Sequence, residues 1–323
     1  MEIKGLSDDN ILKISHIKEE DEWALKYRID SYHNFLKLGL PDFGPKIELD
    51  FDNIIYYKSR QESEIKNNWN DINCSVKNEL DNLGVLESEK HLDGIGVQYE
   101  SEVIYHNMLS ELEEKNVIFT SIEVAMKKYP ELVKKYFGKI VSNNENKFAA
   151  LNGAVFSGGS FIYIPPNTTL DRPLQSYFRI NSRNMGQFER TLIIVDDNSH
   201  LHYVEGCTAP TYSDSSLHAA VVEIYVGKNS SCRYSTIQNW APNVYNLVTK
   251  RALVDENGVM EWIDGNIGSR LTMKYPCCVL KGDNSKGTCI TISVASKTQE
   301  QDSGARMIHL GKNTTSNIIS KSI

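Results

Sequence analysis

Six cysteines, Cys74, Cys207, Cys232, Cys277, Cys278 and Cys289, are the residues of this chain with the widest chemical repertoire. None stands in a Cys-x-x-Cys pair or at zinc-finger spacing from a histidine, so no structural zinc site is written in the sequence. In a reducing compartment they are free thiols, and a thiol becomes a nucleophile or sulfur carrier only as the thiolate. Cys207 stands apart in Glu205-Gly206-Cys207-Thr208-Ala209-Pro210. A strand that ends in Gly-Cys and breaks at proline predicts a thiol presented at an irregular point rather than in a packed ladder. Cys277-Cys278 follows Pro276, and neighbours on a strand point to opposite faces, so the pair is a poor chelate. His200 and His202 share a strand face and could share a metal, yet no third ligand stands nearby, and surface or packing roles explain them as well. No GxSxG, P-loop, HExxH or Rossmann fingerprint is present.

A repeat positions these groups. Asn167, Asn198, Asn229, Asn257, Asn284 and Asn313 each sit in the same turn punctuation, between 27 and 31 residues apart. Self-similarity at this period marks a solenoid. From Lys147 onward short runs of Val, Ile, Thr, Tyr and Ser alternate between turn residues, which are strand signals. The fold expected is mainly β: a right-handed parallel β-helix with about 29 residues per coil, preceded by a helical N-terminal region. Residues 1–140 form that helical region and 141–323 the β-helix. Helices are predicted over Glu22–Leu38, around Val76–Leu83, over Ser101–Glu114, from an N-cap at Ser121 to Lys128, and over Pro130–Phe137.

Stacked coils place equivalent residues in columns. Five residues beyond each turn asparagine stand Tyr203, Tyr234, Trp262 and Cys289, a ladder suited to core packing. Nine beyond stand Cys207, Gln238, Asn266 and Ser293. Two readings fit that polar column: an outward row bonding turn backbone, or a polar track inside the solenoid that meets Cys207. Seven residues before the turn, Lys250, Cys277 and Arg306 form a further column whose cations could lower a nearby thiol pKa.

The bulk properties exclude several function classes. A net charge of −7 argues against nucleic acid as main partner. No apolar run reaches the length of a membrane span, and the N-terminus carries no secretory signal, so a cytoplasmic protein without membrane contact is expected.

Several stretches resemble one family: Lys147-Phe148-Ala149-Ala150-Leu151-Asn152, Tyr177-Phe178-Arg179-Ile180-Asn181, Glu205-Gly206-Cys207-Thr208-Ala209-Pro210, Gln238-Asn239-Trp240 and Asn246-Leu247-Val248-Thr249-Lys250-Arg251. From about Gly94 onward the chain is similar to SufB, the scaffold subunit of the Suf iron–sulfur cluster assembly system, and the cysteine favours SufB over its paralogue SufD. The resemblance implies a non-enzymatic scaffold that accepts sulfur at Cys207 and carries a nascent iron–sulfur cluster as transient cargo. Arg179, Asn181, Gln238, Trp240 and Lys250 are implied to line a sulfur path through the β-helix. Implied partners are a SufC-type ATPase, a SufD-type paralogue or second SufB copy, and a SufE- or SufU-type sulfur donor. The family's cluster ligands, a second cysteine and a Glu/His pair, fall beyond Ile323, so a C-terminally shortened member is expected and the metal ligands stay unassigned. The alternatives are a β-helix interaction module without cluster chemistry and, more remotely, a polysaccharide-acting β-helix enzyme using carboxylates such as Asp196, Asp197, Glu256 and Asp283.

Overall fold

All six turn asparagines adopt left-handed backbone geometry, with φ between 53° and 60°. Asparagine tolerates this region far better than branched or bulky residues, which is why it recurs at each corner. The computed structural model describes residues 1–59, 64–212 and 215–323. In it each corner hands its backbone to the next. The amides of Asn167, Asn198, Asn229, Asn257 and Asn284 donate to the carbonyls of Asp197, Lys228, Glu256, Asp283 and Lys312 at 2.8–2.9 Å. Side-chain amides continue the ladder: Asn198 donates to Asn167 at 3.2 Å, Asn229 to Asn198 at 3.1 Å and Asn257 to Asn229 at 2.9 Å.

After each corner runs one wall of the solenoid. Strands His200–Thr208, Ser231–Trp240, Val259–Gly268, Lys286–Val294 and Thr315–Ser322 pair in parallel, residue for residue. The returning wall stacks Ser160–Ile164, Arg190–Val195, Val221–Val226, the end of Val244–Val254, Cys277–Leu280 and Arg306–His309, also in parallel. Between them lies a short third side, built from Gly186–Gln187, Ser216–His218, the start of Val244–Val254, Leu271–Lys274 and Glu300–Ser303. The fold is thus the expected β-solenoid. The aromatic column is its core: the rings of Tyr203, Tyr234 and Trp262 pack in tilted contact, 5.1 and 5.2 Å between centroids, and are fully buried with Cys289.

The N-terminal region contains the helices Asp8–Ile17, Glu22–Lys37, Cys74–Asn82, Ile122–Lys128 and Pro130–Tyr136. Ser121 caps its helix as expected, its hydroxyl accepting from the Val124 amide at 3.3 Å. Two expectations fail. Glu102–Met108 is a strand, antiparallel to Gly94–Tyr99, which itself joins the solenoid wall beside Leu174–Arg179. Only Ser110–Glu114 of that predicted helix is helical. The β-branched Val103 and Ile104 take the pairing that an available sheet edge offers, and tertiary contact overrides spacing. Conversely, Lys147–Val155 is a helix, with the Asn146 side chain accepting from the Phe148 and Ala149 amides at 3.0 and 2.9 Å. Phe148 to Val155 are all buried, and a helix covered on every side shows no polar stripe in its sequence.

Two buried ion pairs fasten the helices to the solenoid. Arg28 holds Glu20 at 2.5–2.6 Å and donates to the carbonyls of Ala154 and Phe156 at 3.1 and 3.0 Å. Arg190 meets Glu223 at 2.6 Å, and the Glu223 carboxylate also accepts from the amides of Gly138, Ile140 and Val141 at 2.8, 3.1 and 3.1 Å. Among the described residues no helix is long and apolar enough to cross a membrane.

The corner geometry is testable at Asn229. Its replacement by alanine is expected to cost about 1–2 kcal/mol from the left-handed backbone penalty. Glycine, which adopts that conformation freely, should cost less than alanine. Melting temperatures should therefore fall in the order wild type, Asn229→Gly, Asn229→Ala.

Candidate functional site

Strand alternation decides what faces the interior. Along His200–Thr208, Leu201, Tyr203, Glu205 and Cys207 point inward. Cys207 is only 1% exposed and sits in an unbroken ladder between Phe178 and Gln238, so the expected irregular presentation is not what the fold does. Parallel pairing continues through Pro210's approach because both neighbouring strands extend alongside as far as Thr208. The column Cys207–Gln238–Asn266–Ser293 is in register and buried, which places it inside the solenoid rather than on an outward row.

A second inward column, Glu205–Thr236–Asp264–Thr291, runs beside it. The other two sides contribute Glu189, His218, Asn246, Lys250 and Lys274, all buried. Apart from Asn266, Thr291 and Ser293, these side chains form one connected network. The Cys207 thiol donates to Glu205 Oε1 at 3.6 Å, and Gln238 Nε2 approaches Sγ at 4.0 Å. Gln238 Oε1 accepts from Asn246 Nδ2 at 2.8 Å and from Lys274 Nζ at 3.3 Å. Glu205 Oε2 takes the Tyr234 hydroxyl at 2.5 Å. Lys250 and Lys274 share Asp264 Oδ1 at 3.2 and 3.3 Å, and Thr236 donates to the same oxygen at 2.6 Å. Lys250 also lies over the Tyr234 ring, 4.5 Å from its centroid. His218 bridges Glu189 Oε2 at 2.8 Å and Asn246 Oδ1 at 2.7 Å.

The electrostatics follow from burial and partners. Burial alone would raise the Asp264 carboxyl, but the two ammonium groups and Thr236 outweigh it and bring the pKa down to about 2. Burial pulls Lys274 down to about 8, with Asp264 resisting the fall. For His218 burial favours the neutral ring, yet Glu189 and Asn246 prevail and its pKa rises. Burial pushes the Cys207 thiol well above its ordinary range, reinforced by Glu205 and Glu189 and only partly opposed by Lys250 and Lys274. The nearby cations do pull this thiol down, as expected, but burial and the carboxylates outweigh them. Three carboxylates, Glu189, Glu205 and Asp264, face three basic side chains, Lys250, Lys274 and His218. With the imidazole protonated and the thiol neutral, the sealed interior is close to electroneutral.

Of the remaining candidates only Trp240 adjoins this network. Trp240 is buried and inward, its ring 4.7 Å from that of His218. Arg179 and Asn181 belong to another face: Arg179 pairs with Glu79 at 2.5 Å and donates to Thr208 at 2.9 Å, while Asn181 bonds Tyr99. The proposed Lys250–Cys277–Arg306 column is off by one residue. Cys277 pairs with Arg251 and Arg306, whereas Lys250 sits opposite Val222 and points inward. A one-residue slip moves a side chain to the other face. His200 and His202 are held by Ser231 and Ser235 of the next coil at 2.8 and 3.0 Å. Among the described residues no three His, Cys, Asp or Glu side chains are grouped to hold a metal ion. The turn carboxylates do turn chemistry: Asp197 and Asp283 accept from the amides of Lys228 and Lys312 at 2.7 and 2.8 Å.

Sequence reasoning missed Glu205, Asp264, Lys274, His218, Asn246 and Glu189. Glu205 and Asp264 were within reach, since both stand seven residues beyond a turn asparagine. The others lie on sides with no repeated corner from which to count.

Two family models match the chain. One, described as SUF system FeS cluster assembly, SufBD core domain, covers residues 178–323; the other, SufBD protein N-terminal region, covers 97–176. Similar relatives include the iron–sulfur cluster assembly SufBD family proteins of Staphylococcus saprophyticus and of Staphylococcus aureus strain USA300. Each is 56% identical over 322 residues, a span of 99% of this chain and 69% of the relative.

Asp264 is the test of the network. Asp264→Asn leaves two buried ammonium groups uncompensated and should destabilise the fold by about 3–5 kcal/mol. A carboxyl held at about 2 when folded stabilises above its unfolded value, and that contribution fades as pH falls toward the folded one. The stability gap between wild type and Asp264→Asn should therefore narrow from about pH 4 downward in acid unfolding titrations.

Proposed function

The chain belongs to the SufBD family of iron–sulfur cluster assembly proteins, and from that premise we propose that it is a SufB-type scaffold whose Cys207 accepts sulfur from a persulfide donor. The observation that carries the reading is the position of this thiol inside the solenoid, where Gln238 reaches both its sulfur and Lys274 of the polar interior. In this reading the Cys207 thiolate attacks the outer sulfur of the donor persulfide. A new Sγ–S bond forms, the donor's S–S bond breaks, and the donor leaves as a thiolate, so sulfur moves without net oxidation or reduction.

The surrounding groups suit that step. Gln238 has its carbonyl occupied by Asn246 and Lys274, which turns its amide toward the sulfur, where it donates to an anion. Lys250 and Lys274 add the positive field that a bound persulfide anion needs in a buried site. The Asn266 side chain, beyond Gln238 in the Cys207 column, has no hydrogen-bond partner among the described residues on either polar atom, which leaves it able to bind a polar guest travelling along the interior. In this reading Arg179, bonded to Thr208 on the strand face opposite Cys207, helps receive the donor protein. SufE- or SufU-type proteins are the donor class this requires. A SufC-type ATPase and a SufD-type paralogue or second copy would complete the assembly, with ATP hydrolysis outside this chain and the nascent cluster as cargo.

A second reading, a protein-docking role for the same wall, is favoured by its exposed apolar row. Ile237, Ile267 and Ile292 are 62%, 44% and 47% exposed on adjacent strands. Aspartate at Ile237 and Ile292 should weaken copurification of Suf partners if the row docks them and leave it unchanged if it does not.

For the primary reading, the purified chain is incubated with glutathione persulfide and the Cys207 peptide is weighed by mass spectrometry. Wild type should gain one sulfur and Cys207→Ser none, with uptake in Gln238→Ala slowed about tenfold or more by loss of a hydrogen bond to a charged group. Undiminished uptake by Cys207→Ser removes the proposal.

A further inference from the structure

Resting on the reading of Cys207 as sulfur acceptor, we propose that Glu205 is the general base of the step, receiving the thiol proton as Cys207 becomes a nucleophile. The two side chains lie two residues apart on one inward strand face, and the strand is paired on both sides, so backbone geometry fixes their spacing. Sγ donates to Glu205 Oε1 at 3.6 Å, within sulfur hydrogen-bond reach. Oε2 is already taken by Tyr234, which orients the carboxylate and leaves Oε1 to the thiol.

The other charged and titratable groups facing Cys207 are less able to serve. Lys250 and Lys274 are engaged as donors to Asp264, and Asp264, shared between them and Thr236, is held at too low a pKa to take a proton. His218 has both ring nitrogens committed, to Glu189 and Asn246. Tyr203 and Tyr234 are pushed far toward their protonated forms by burial. Glu189 is ion-paired with His218 and, among the described residues, makes no hydrogen bond to Cys207.

Charge balance favours the same route. Losing a proton from a sealed thiol to solvent would leave a net negative charge in a low-dielectric interior, which is costly. Moving it from Sγ to Glu205 leaves the net charge of the interior unchanged. The step is balanced: Cys207–SH and Glu205–COO⁻ become Cys207–S⁻ and Glu205–COOH. The thiolate then takes the outer sulfur of the donor R–S–SH, giving Cys207–S–SH and R–S⁻. The departing thiolate recovers the proton from Glu205, so that R–SH leaves and the carboxylate is restored.

The test compares pH profiles rather than rates alone. Cys207 alkylation by iodoacetamide, a reagent that does not titrate, is followed at the Cys207 peptide by mass spectrometry in wild type and Glu205→Gln. Internal transfer predicts a wild-type rate nearly independent of pH between about 6 and 8.5. Glu205→Gln must release the proton to solvent, and its rate should rise about tenfold per pH unit. A wild-type rate that climbs tenfold per unit, or a Glu205→Gln profile parallel to wild type, overturns the proposal. If Glu205→Gln does not fold, the wild-type profile alone decides. Uptake from glutathione persulfide is measured in parallel with Cys207→Ser. Uptake that survives in Cys207→Ser removes the acceptor reading itself, an outcome distinguishable from a failure of Glu205.

Discussion

Everything in the interior depends on parallel stacking without register slip. Each coil copies its corner from the one before through backbone bonds at the turn asparagines and a side-chain amide ladder. Because side chains alternate faces, one added residue between a corner and Cys207 would turn Cys207 and Glu205 outward together. A site assembled from several coils and three sides can persist only where that spacing is rigid. The asparagines, far from the thiol and on the surface, therefore govern the interior geometry more directly than many residues that touch it.

The interior is an unusual place for charge. A solenoid of this width could be filled with aliphatic side chains, as the neighbouring layer around Tyr203, Tyr234 and Trp262 shows. Three acids and three bases instead sit beside that layer, each held by at least one polar partner. Buried ion pairs of this kind are weak evidence for stability, since desolvation offsets most of the attraction. Their presence fits a task that needs an anion accommodated inside. The same low dielectric that makes an isolated thiolate unfavourable also strengthens any hydrogen bond offered to one.

Much of this was legible in the sequence where a corner provided an origin for counting. The aromatic ladder and the Cys207–Gln238–Asn266–Ser293 column follow directly from the asparagines, because each strand starts a fixed distance beyond its corner. Legibility decays with distance from that origin. On the returning strands the coils differ in length, so counting back from the corners puts Lys250 beside Cys277, whose neighbour is Arg251. On the short third side no residue repeats, and His218, Asn246 and Lys274 carried no signal linking them to the thiol. The helix Lys147–Val155 was hidden for another reason: burial on all sides erases the periodicity by which helices are recognised. Ser101–Glu114 failed in the opposite sense, since its helical spacing was overruled by an open sheet edge.

The Glu223 carboxylate has a consequence for how the molecule opens. It gathers the amides of Gly138, Ile140 and Val141, which lie in an irregular connection, onto a strand at the heart of the returning wall. Loop amides normally exchange their hydrogens with solvent early, through local fluctuations. These three are bonded to a group that is itself fully buried and paired with Arg190. Their exchange is thereby tied to opening of the Val221–Val226 coil, so a connection without regular structure shares the cooperativity of the sheet it leans on.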